Sequence, residues 1–219
     1  MSEPLLQASD LSHAFDYPLY ENVSLEICAG ESVAVMGRSG SGKSTLLHTL
    51  AGLIEPLSGT VRLFGEDIYR MREGQKEELR RYRTGIVFQQ HYLFKGMTAL
   101  ENVEIATLLA EETIDEKLFE QLEIAEVMKQ KVSELSGGQQ QRVSLARVLS
   151  KKPEIIFADE PTGNLDRETS ELVMKTMLNY VERREAALFV VTHDAEIATG
   201  CNRCFLLEEQ RLRPMRNGV

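Results

Sequence analysis

Gly37-Arg-Ser-Gly-Ser-Gly-Lys-Ser44 is the most specific indication of the fold in this sequence. It matches the spacing GxxxxGK[ST] and lies between a predicted strand at residues 32–36 and a predicted helix at residues 43–53, the context that the motif requires. Glycines let the backbone wrap closely around phosphates, and the N–H groups of the loop and of the helix start attract anions. Lys43 adds positive charge near the β- and γ-phosphates, and Ser44, with Thr45 behind it, offers a hydroxyl to Mg²⁺. The stretch therefore predicts a nucleotide-binding loop.

Apolar runs of strand length alternate with helical patterns along the chain. The runs at residues 155–158 and 188–191 are almost continuously apolar, which is typical of parallel strands buried on both faces. Residues 98–135 show helical patterns without a strand signal, so we predict a helical insert in an α/β core. The predicted strands are residues 23–27, 32–36, 61–64, 85–88, 155–158 and 188–192, and the predicted core helices are residues 43–53, 137–150 and 166–184.

The stretch of residues 70–83 is rich in charged side chains of both signs. One interpretation is a solvated helix with an i,i+4 ion pair between Glu77 and Arg81. The other is a patch that faces a membrane or a partner protein. The charge pattern alone leaves both open.

The composition argues against several classes of protein. The chain has 219 residues, and 25 Lys and Arg against 34 Asp and Glu give a net charge of −9, whereas dedicated nucleic-acid binders usually carry a basic surplus. We therefore expect no nucleic-acid partner. The sequence shows neither an apolar stretch of roughly 20 residues nor a secretory signal, and three cysteines do not make a disulfide framework. We expect one domain over residues 1–219, in the cytoplasm.

A buried strand that ends in an acidic pair is the second chemical signal. Asp159 and Glu160 follow the apolar run at residues 155–158. One carboxylate at such a strand end can lie beside a metal and the other beside a water molecule. We predict that Asp159 holds Mg²⁺ and that Glu160 polarises the attacking water as a general base.

A second anion-binding helix start is the third signal. The segment Leu135-Ser-Gly-Gly-Gln139 places a serine where a helix begins and two glycines in its first turn. Unpaired N–H groups and the positive end of the helix dipole lie at such a position. A single nucleotide does not obviously need two sites of this kind.

Together and in this order, the three segments resemble the motifs of the nucleotide-binding subunit of an ABC transporter, and the resemblance extends over about residues 5–212. It implies a P-loop, RecA-like domain of class α/β with an N-terminal β region. The core would cover about residues 1–95 and 136–219, and an inserted helical subdomain about residues 96–150, which carry the signature motif. It further implies a Q-loop at Gln89, a D-loop at Gly163-Asn-Leu-Asp166 and a switch histidine at His193.

The resemblance also assigns roles to residues. The catalytic residues would be Glu160, His193, Gln89 and Lys43, and the metal ligands Ser44, Gln89 and Asp159. An aromatic side chain that stacks on adenine corresponds to Phe15, with Tyr17 and Tyr20 as rivals. The remaining nucleotide-binding residues would be Gly37, Arg38, Ser39, Gly40, Ser41, Gly42, Lys43, Ser44, Thr45, Ser136, Gly137, Gly138, Gln139 and Asp166.

Members of this family act as head-to-tail dimers in which the signature of one subunit closes over the ATP held by the other. The resemblance thus implies an active homodimer that uses ATP and Mg²⁺ and works with integral membrane subunits, on the cytoplasmic face of the inner membrane. Residues 87–103 and 160–166 resemble the lipoprotein-releasing, macrolide-efflux and cell-division group. The alternatives are the ATPase of a solute importer, such as an amino-acid transporter, and a non-transport ABC ATPase.

Overall fold

Strands and helices alternate along the described part of the chain, which is residues 3–163 and 165–215 of a computed structural model. Within these residues every helix is too short or too polar to span a bilayer. The strands are β1 (Leu6–Ala14), β2 (Pro18–Ile27), β3 (Ser32–Met36), β4 (Ser58–Leu63), β5 (Glu66–Asp67), β6 (Thr84–Val87), β7 (Ile155–Asp159), β8 (Ala187–Thr192), β9 (Arg203–Glu208) and β10 (Arg211–Met215). The helices are α1 (Lys43–Leu50), α2 (Glu73–Glu78), α3 (Ala99–Ala110), α4 (Glu116–Gln121), α5 (Gly137–Leu149), α6 (Arg167–Arg184) and α7 (Ala195–Thr199).

The central sheet has the strand order β10-β9-β3-β8-β7-β6. Its strands are parallel except β10, which pairs antiparallel with β9. Alternate residues of β7 and β8 belong to hydrophobic clusters on opposite faces, with Phe157 and Phe189 in one and Ile156 and Leu188 in the other. The predicted burial of these strands on both faces, and with it the α/β class, is confirmed.

A second, antiparallel sheet with the order β2-β1-β4-β5 forms the N-terminal β region. Its strand β1 was not predicted, because the alternation of buried residues changes phase in the middle of the strand. Leu6 and Ala8 are buried before the change, and Leu11 and His13 after it. The change occurs at Asp10, whose φ is +52°, where the pairing with β2 shifts register. Because such a bulge shifts the alternation by one residue, a search for a strict two-residue pattern does not find the strand.

The segment between β6 and α5 is helical, as predicted, and contains α3, α4 and two short 3₁₀ helices (Ala125–Val127 and Val132–Glu134). Helix α3 packs against α5, and Val103 and Leu122 share one hydrophobic cluster with Val143 and Ile156 of the central core. Helix α5 thus contacts both the insert and the sheet. The division into a core and a subdomain at the predicted boundaries stays a prediction.

Two local predictions need correction. The predicted helix at residues 43–53 ends at Leu50, because the chain turns at Gly52, whose φ is +74°. In the charged stretch, α2 continues into a π-helical turn (Leu79–Arg83), and Arg81 pairs with Glu111 at 3.2 Å instead of Glu77. The π-helical turn changes the angular spacing of side chains, so the i,i+4 rule does not apply there.

The carboxyl ends of β3, β7 and β8 meet at one edge of the central sheet. Met36 lies beside Thr192, and Asp159 lies beside Val191. The ends of these strands and the segments that follow them carry the glycine-rich loop, the acidic pair and His193. The strand order therefore brings three separate motifs to one place.

Candidate nucleotide-binding and hydrolysis site

The glycine-rich loop follows β3 and leads into α1. A Cβ atom at Gly37 would lie 2.6 Å from Ser41 Oγ and 2.7 Å from the Leu207 carbonyl oxygen, so only glycine fits there. Gly40 and Gly42 have φ values of +78° and +94°, a region that side chains disfavour. The predicted loop from Gly37 to Thr45 therefore has the backbone curvature of an anion cradle at a helix start.

Lys43 is the first residue of α1, is 7% exposed, and its side chain extends back to this loop. Its Nζ donates to the carbonyl oxygens of Gly37 at 2.9 Å and Arg38 at 3.1 Å, and lies 3.9 Å from Glu160 Oε1. The ammonium group thus lies between the loop and the acidic strand end. A triphosphate in the cradle would be held by this charge.

Ser44 and Asp159 come together from different parts of the chain. Ser44 Oγ donates to Asp159 Oδ1 at 2.8 Å, and His48 Nε2 lies 3.7 Å from Asp159 Oδ2. Burial raises the pKa of the Asp159 carboxyl above its ordinary value, against the opposing effect of the Ser44 hydroxyl. A hydroxyl and a carboxylate oxygen are ligands that Mg²⁺ prefers, so this pair fits the predicted metal site.

Glu160 and His193 form the most direct contact of the site. Glu160 Oε2 lies 2.8 Å from His193 Nδ1 and accepts a 3.3 Å hydrogen bond from the His193 backbone N–H. The Glu160 side chain is 12% exposed and that of His193 is 66% exposed. Glu160 also has a φ of +45°, which is unusual for this residue type. The backbone is therefore held in a disfavoured conformation that directs this carboxylate toward Lys43 and His193.

Gln89 follows β6 and is exposed. Its Nε2 lies 3.9 Å from the position that a Cβ atom of Gly163 would occupy, in the turn after Glu160. The structure thus places Gln89 beside the acidic strand end. Its roles as a metal ligand and a catalytic residue stay predictions.

Ser136 is the N-cap of α5, as predicted for the signature segment. Its Oγ accepts from the Gln139 N–H at 3.3 Å, and its own N–H donates to Gln139 Oε1 at 2.9 Å. Such a capping box begins the helix at this serine. Ser136 and Gly137 are exposed, whereas a Cβ at Gly138 would lie 3.5 Å from Thr169 Cγ2. The exposed side of this helix start is therefore available to another molecule.

Asp166 lies next to the signature segment and is the N-cap of α6. Its carboxylate accepts from the Thr169 N–H at 2.9 Å and from the Thr169 Oγ1 at 2.8 Å. These hydrogen bonds lower the pKa of Asp166. Of the predicted D-loop, Asn164 lies outside the described residues.

Of the three aromatic candidates for adenine, Tyr20 is fully buried, and its hydroxyl is 2.8 Å from Thr49 Oγ1. It cannot offer a ring face to a base. Phe15 and Tyr17 are 63% and 58% exposed, at the turn between β1 and β2. The choice between these two stays open.

Gln141 is a residue that sequence reasoning did not assign. It is 2% exposed, and its Nε2 donates to the Pro161 carbonyl oxygen at 2.7 Å, which ties α5 to the turn after Glu160. The available signal was a polar residue on the buried face of an amphipathic helix. Such a side chain needs an internal hydrogen-bond partner.

We expect Asp159→Asn to stabilise the protein when neither nucleotide nor divalent cation is present. Because the pKa of Asp159 is raised in the folded state, the free energy of unfolding falls as pH rises through that pKa. Asparagine does not ionise, so the variant does not lose this stability. The melting temperature at pH 7 should rise by about 2–4 °C, which corresponds to about 1 kcal/mol in a chain of this size. Thermal unfolding followed by circular dichroism measures this effect, and a lower melting temperature would contradict it.

Comparison with known proteins identifies the family to which these features belong. The family model described as ABC transporter matches residues 20–163. The uncharacterized ABC transporter ATP-binding protein YbbA of Escherichia coli (strain K12) is 42% identical over 197 residues, which are 87% of this chain and 86% of that protein. The lipoprotein-releasing system ATP-binding protein LolD of Syntrophotalea carbinolica is 41% identical over 197 residues, 87% of each chain.

A solved structure with the same fold is the dimeric post-hydrolysis state of the ATP-binding cassette MJ0796 bound to ADP and Pi. It superposes with a TM-score of 0.88 at 31% identity and covers 98% of this chain and 99% of that chain. This similarity extends over both sheets and the helical insert.

Proposed function

Since this chain belongs to the ABC transporter family and is an ATPase of that family, we propose that it is the ATP-hydrolysing subunit of a membrane complex of the lipoprotein-releasing, efflux or division type. The similarity to LolD over most of both chains supports this subgroup. The protein would bind the cytoplasmic face of the inner membrane through its membrane subunits.

The contact between Glu160 and His193, beside Lys43, supports the hydrolysis mechanism most directly. Glu160 accepts the proton of the attacking water as general base, and His193 holds its carboxylate in place. Lys43 and the loop N–H groups neutralise charge on the β- and γ-phosphates. Mg²⁺ held by Ser44 and Asp159 would supply further positive charge to these phosphate oxygens.

A second copy of the chain completes the site in this proposal. Ser136 and Gly137 are exposed at the start of α5, and that helix start offers N–H groups to an anion. Their partner would be the γ-phosphate of the ATP held by the other copy. The MJ0796 cassette is dimeric in its post-hydrolysis state, which supports this arrangement. Two equivalent sites would then form in a head-to-tail homodimer.

The membrane subunit would dock in a groove of about 530 Å³ between the helical insert and the central core. Phe94, Ile105 and Leu109 supply apolar surface. Arg147 of α5 and Lys151, which follows that helix, supply positive charge. Burial and the nearby Arg147 lower the pKa of Lys151 to about 8. An apolar helix of the membrane subunit that carries a carboxylate would complement this groove.

We expect Leu109→Asp to prevent the association with the membrane subunits. Leu109 is 55% exposed and lines the groove, so a carboxylate there would be buried against the docked helix. Capture of the protein from its native membranes should lose the membrane subunits with Leu109→Asp. It should retain them with the matched Leu108→Asp, because Leu108 is 78% exposed and does not line the groove.

The captured subunits also test the subgroup. Identification by mass spectrometry of subunits with few transmembrane helices and a large extracytoplasmic part would support the proposal. A permease with many helices and a solute-binding protein would contradict it in favour of an importer. Equal recovery with both leucine variants would show that the groove is not the docking surface.

A further inference from the structure

His13 is a buried histidine that the hydrolysis mechanism does not use. It is 6% exposed, and neither of its ring nitrogens has a hydrogen-bond partner among the described residues. Unpartnered polar atoms in a protein interior destabilise the fold. The contacts of this side chain among the described residues are therefore those of its ring.

The ring of His13 lies between two aromatic side chains. It meets Phe15 edge to face, with ring centroids 4.9 Å apart at 85°, and it stacks on Tyr20 at 6.1 Å and 26°. His13 and Tyr20 are cross-strand partners on β1 and β2, so their side chains share one face of the sheet. Both geometries are favourable for aromatic pairs.

Tyr20 continues this contact chain to the phosphate loop. Its hydroxyl is 2.8 Å from Thr49 Oγ1 on α1, the helix that the loop begins. Its Cδ1 lies 3.6 Å from the position that a Cβ of Gly42 would occupy. A continuous series of packed groups therefore runs from Gly42 and Thr49 through Tyr20 and His13 to Phe15.

We propose that His13 is a positioning residue for ATP, which holds the ring of Phe15 at a set place relative to the phosphate loop. The inference rests on Phe15, rather than Tyr17, being the adenine platform that the family resemblance implies. The base and the triphosphate belong to one molecule, so the platform and the loop must stand at the distance that this molecule spans. Fixing Phe15 before ATP binds removes the entropy cost of ordering an exposed side chain.

Affinities of the full chain for two ligands test this role, because inorganic tripolyphosphate carries phosphates but no base. We expect His13→Ala to weaken ATP binding about 3- to 10-fold, which corresponds to the energetic contribution of one aromatic pair. Tripolyphosphate affinity and kcat at saturating ATP should stay within about twofold, because the mutation leaves the phosphate site intact. His13→Phe, which keeps an aromatic ring, should restore most of the ATP affinity.

A double mutant tests whether His13 acts through Phe15, and a variant elsewhere in the sheet controls for lost stability. The double mutant His13→Ala/Phe15→Ala should bind ATP as tightly as Phe15→Ala alone, because both substitutions affect ATP through the ring of Phe15. Val61→Ala, a buried change elsewhere in the same sheet, should lower the melting temperature without changing the ATP affinity.

Three results would overturn the inference. The first is that His13→Ala loses affinity for ATP and for tripolyphosphate equally. The second is that His13→Ala leaves the ATP affinity unchanged although Phe15→Ala weakens it. Both would leave the platform assignment intact. If Phe15→Ala itself leaves the ATP affinity unchanged, the platform assignment is wrong and the inference fails with it.

Discussion

Glu160→Gln should lower kcat for ATP hydrolysis by about 10²- to 10⁴-fold, the usual contribution of a general base. Glutamine keeps the size of the side chain and can still contact His193 Nδ1, but it cannot accept the proton of the attacking water. ATP binding should persist, since the loop and Lys43 are unchanged. Because hydrolysis would open the dimer, the variant should accumulate as an ATP-bound dimer on size-exclusion chromatography.

Glu154→Gln is the matched control for this variant. Glu154 directly precedes β7, at the opposite end from Glu160, and forms an exposed ion pair with Arg83. Exposed ion pairs contribute little to stability, so the kcat of Glu154→Gln should stay within about twofold of the wild type. Native hydrolysis by Glu160→Gln would show that Glu160 is not the base.

Ser136→Arg should abolish the closed dimer and reduce hydrolysis about 100-fold or more, comparable to the loss of an anion-stabilising group. Ser136 is exposed at the helix start that we assign to the partner's γ-phosphate. An arginine there would fill the space between the two copies. Each monomer should still bind ATP, because its own phosphate loop lies elsewhere in the chain.

The loss of the helix cap needs a separate control, since it costs about 1 kcal/mol. Thr98→Arg removes the equivalent capping box at the start of α3, where Thr98 Oγ1 accepts from the Glu101 N–H at 3.2 Å. This variant should lose similar stability but keep ATP-dependent dimerisation and hydrolysis. A normal ATP-bound dimer in Ser136→Arg would refute the assignment of the signature to the second copy.

Features that depend on a short continuous segment could be predicted from the sequence. The phosphate loop is one, because its glycines, its preceding strand and its following helix are adjacent in the chain. The helix start at Ser136 is another, since a cap depends on the residues within one turn. The buried strands β7 and β8 were also predictable from their apolar runs.

Features that depend on irregular backbone were missed or altered. Strand β1 escaped prediction because the bulge at Asp10 changes which residues face the core. The predicted ion pair of Arg81 with Glu77 was wrong, because a π-helical turn follows α2 and Arg81 pairs with Glu111. A regular two-residue or i,i+4 pattern does not describe either deviation, because each one changes the angular spacing of side chains.

Three short segments thus carry the chemistry that the sequence predicts: a glycine-rich loop for phosphates, an acidic strand end, and a capped helix start at which Ser136 and Gly137 are exposed. Which of these groups come into contact depends on the fold. The pairing of β8 with β3 and β7 brings His193 to Glu160 and, with the loop, Ser44 to Asp159. Strand order depends on packing between distant segments, and that information is not contained in any single stretch of residues.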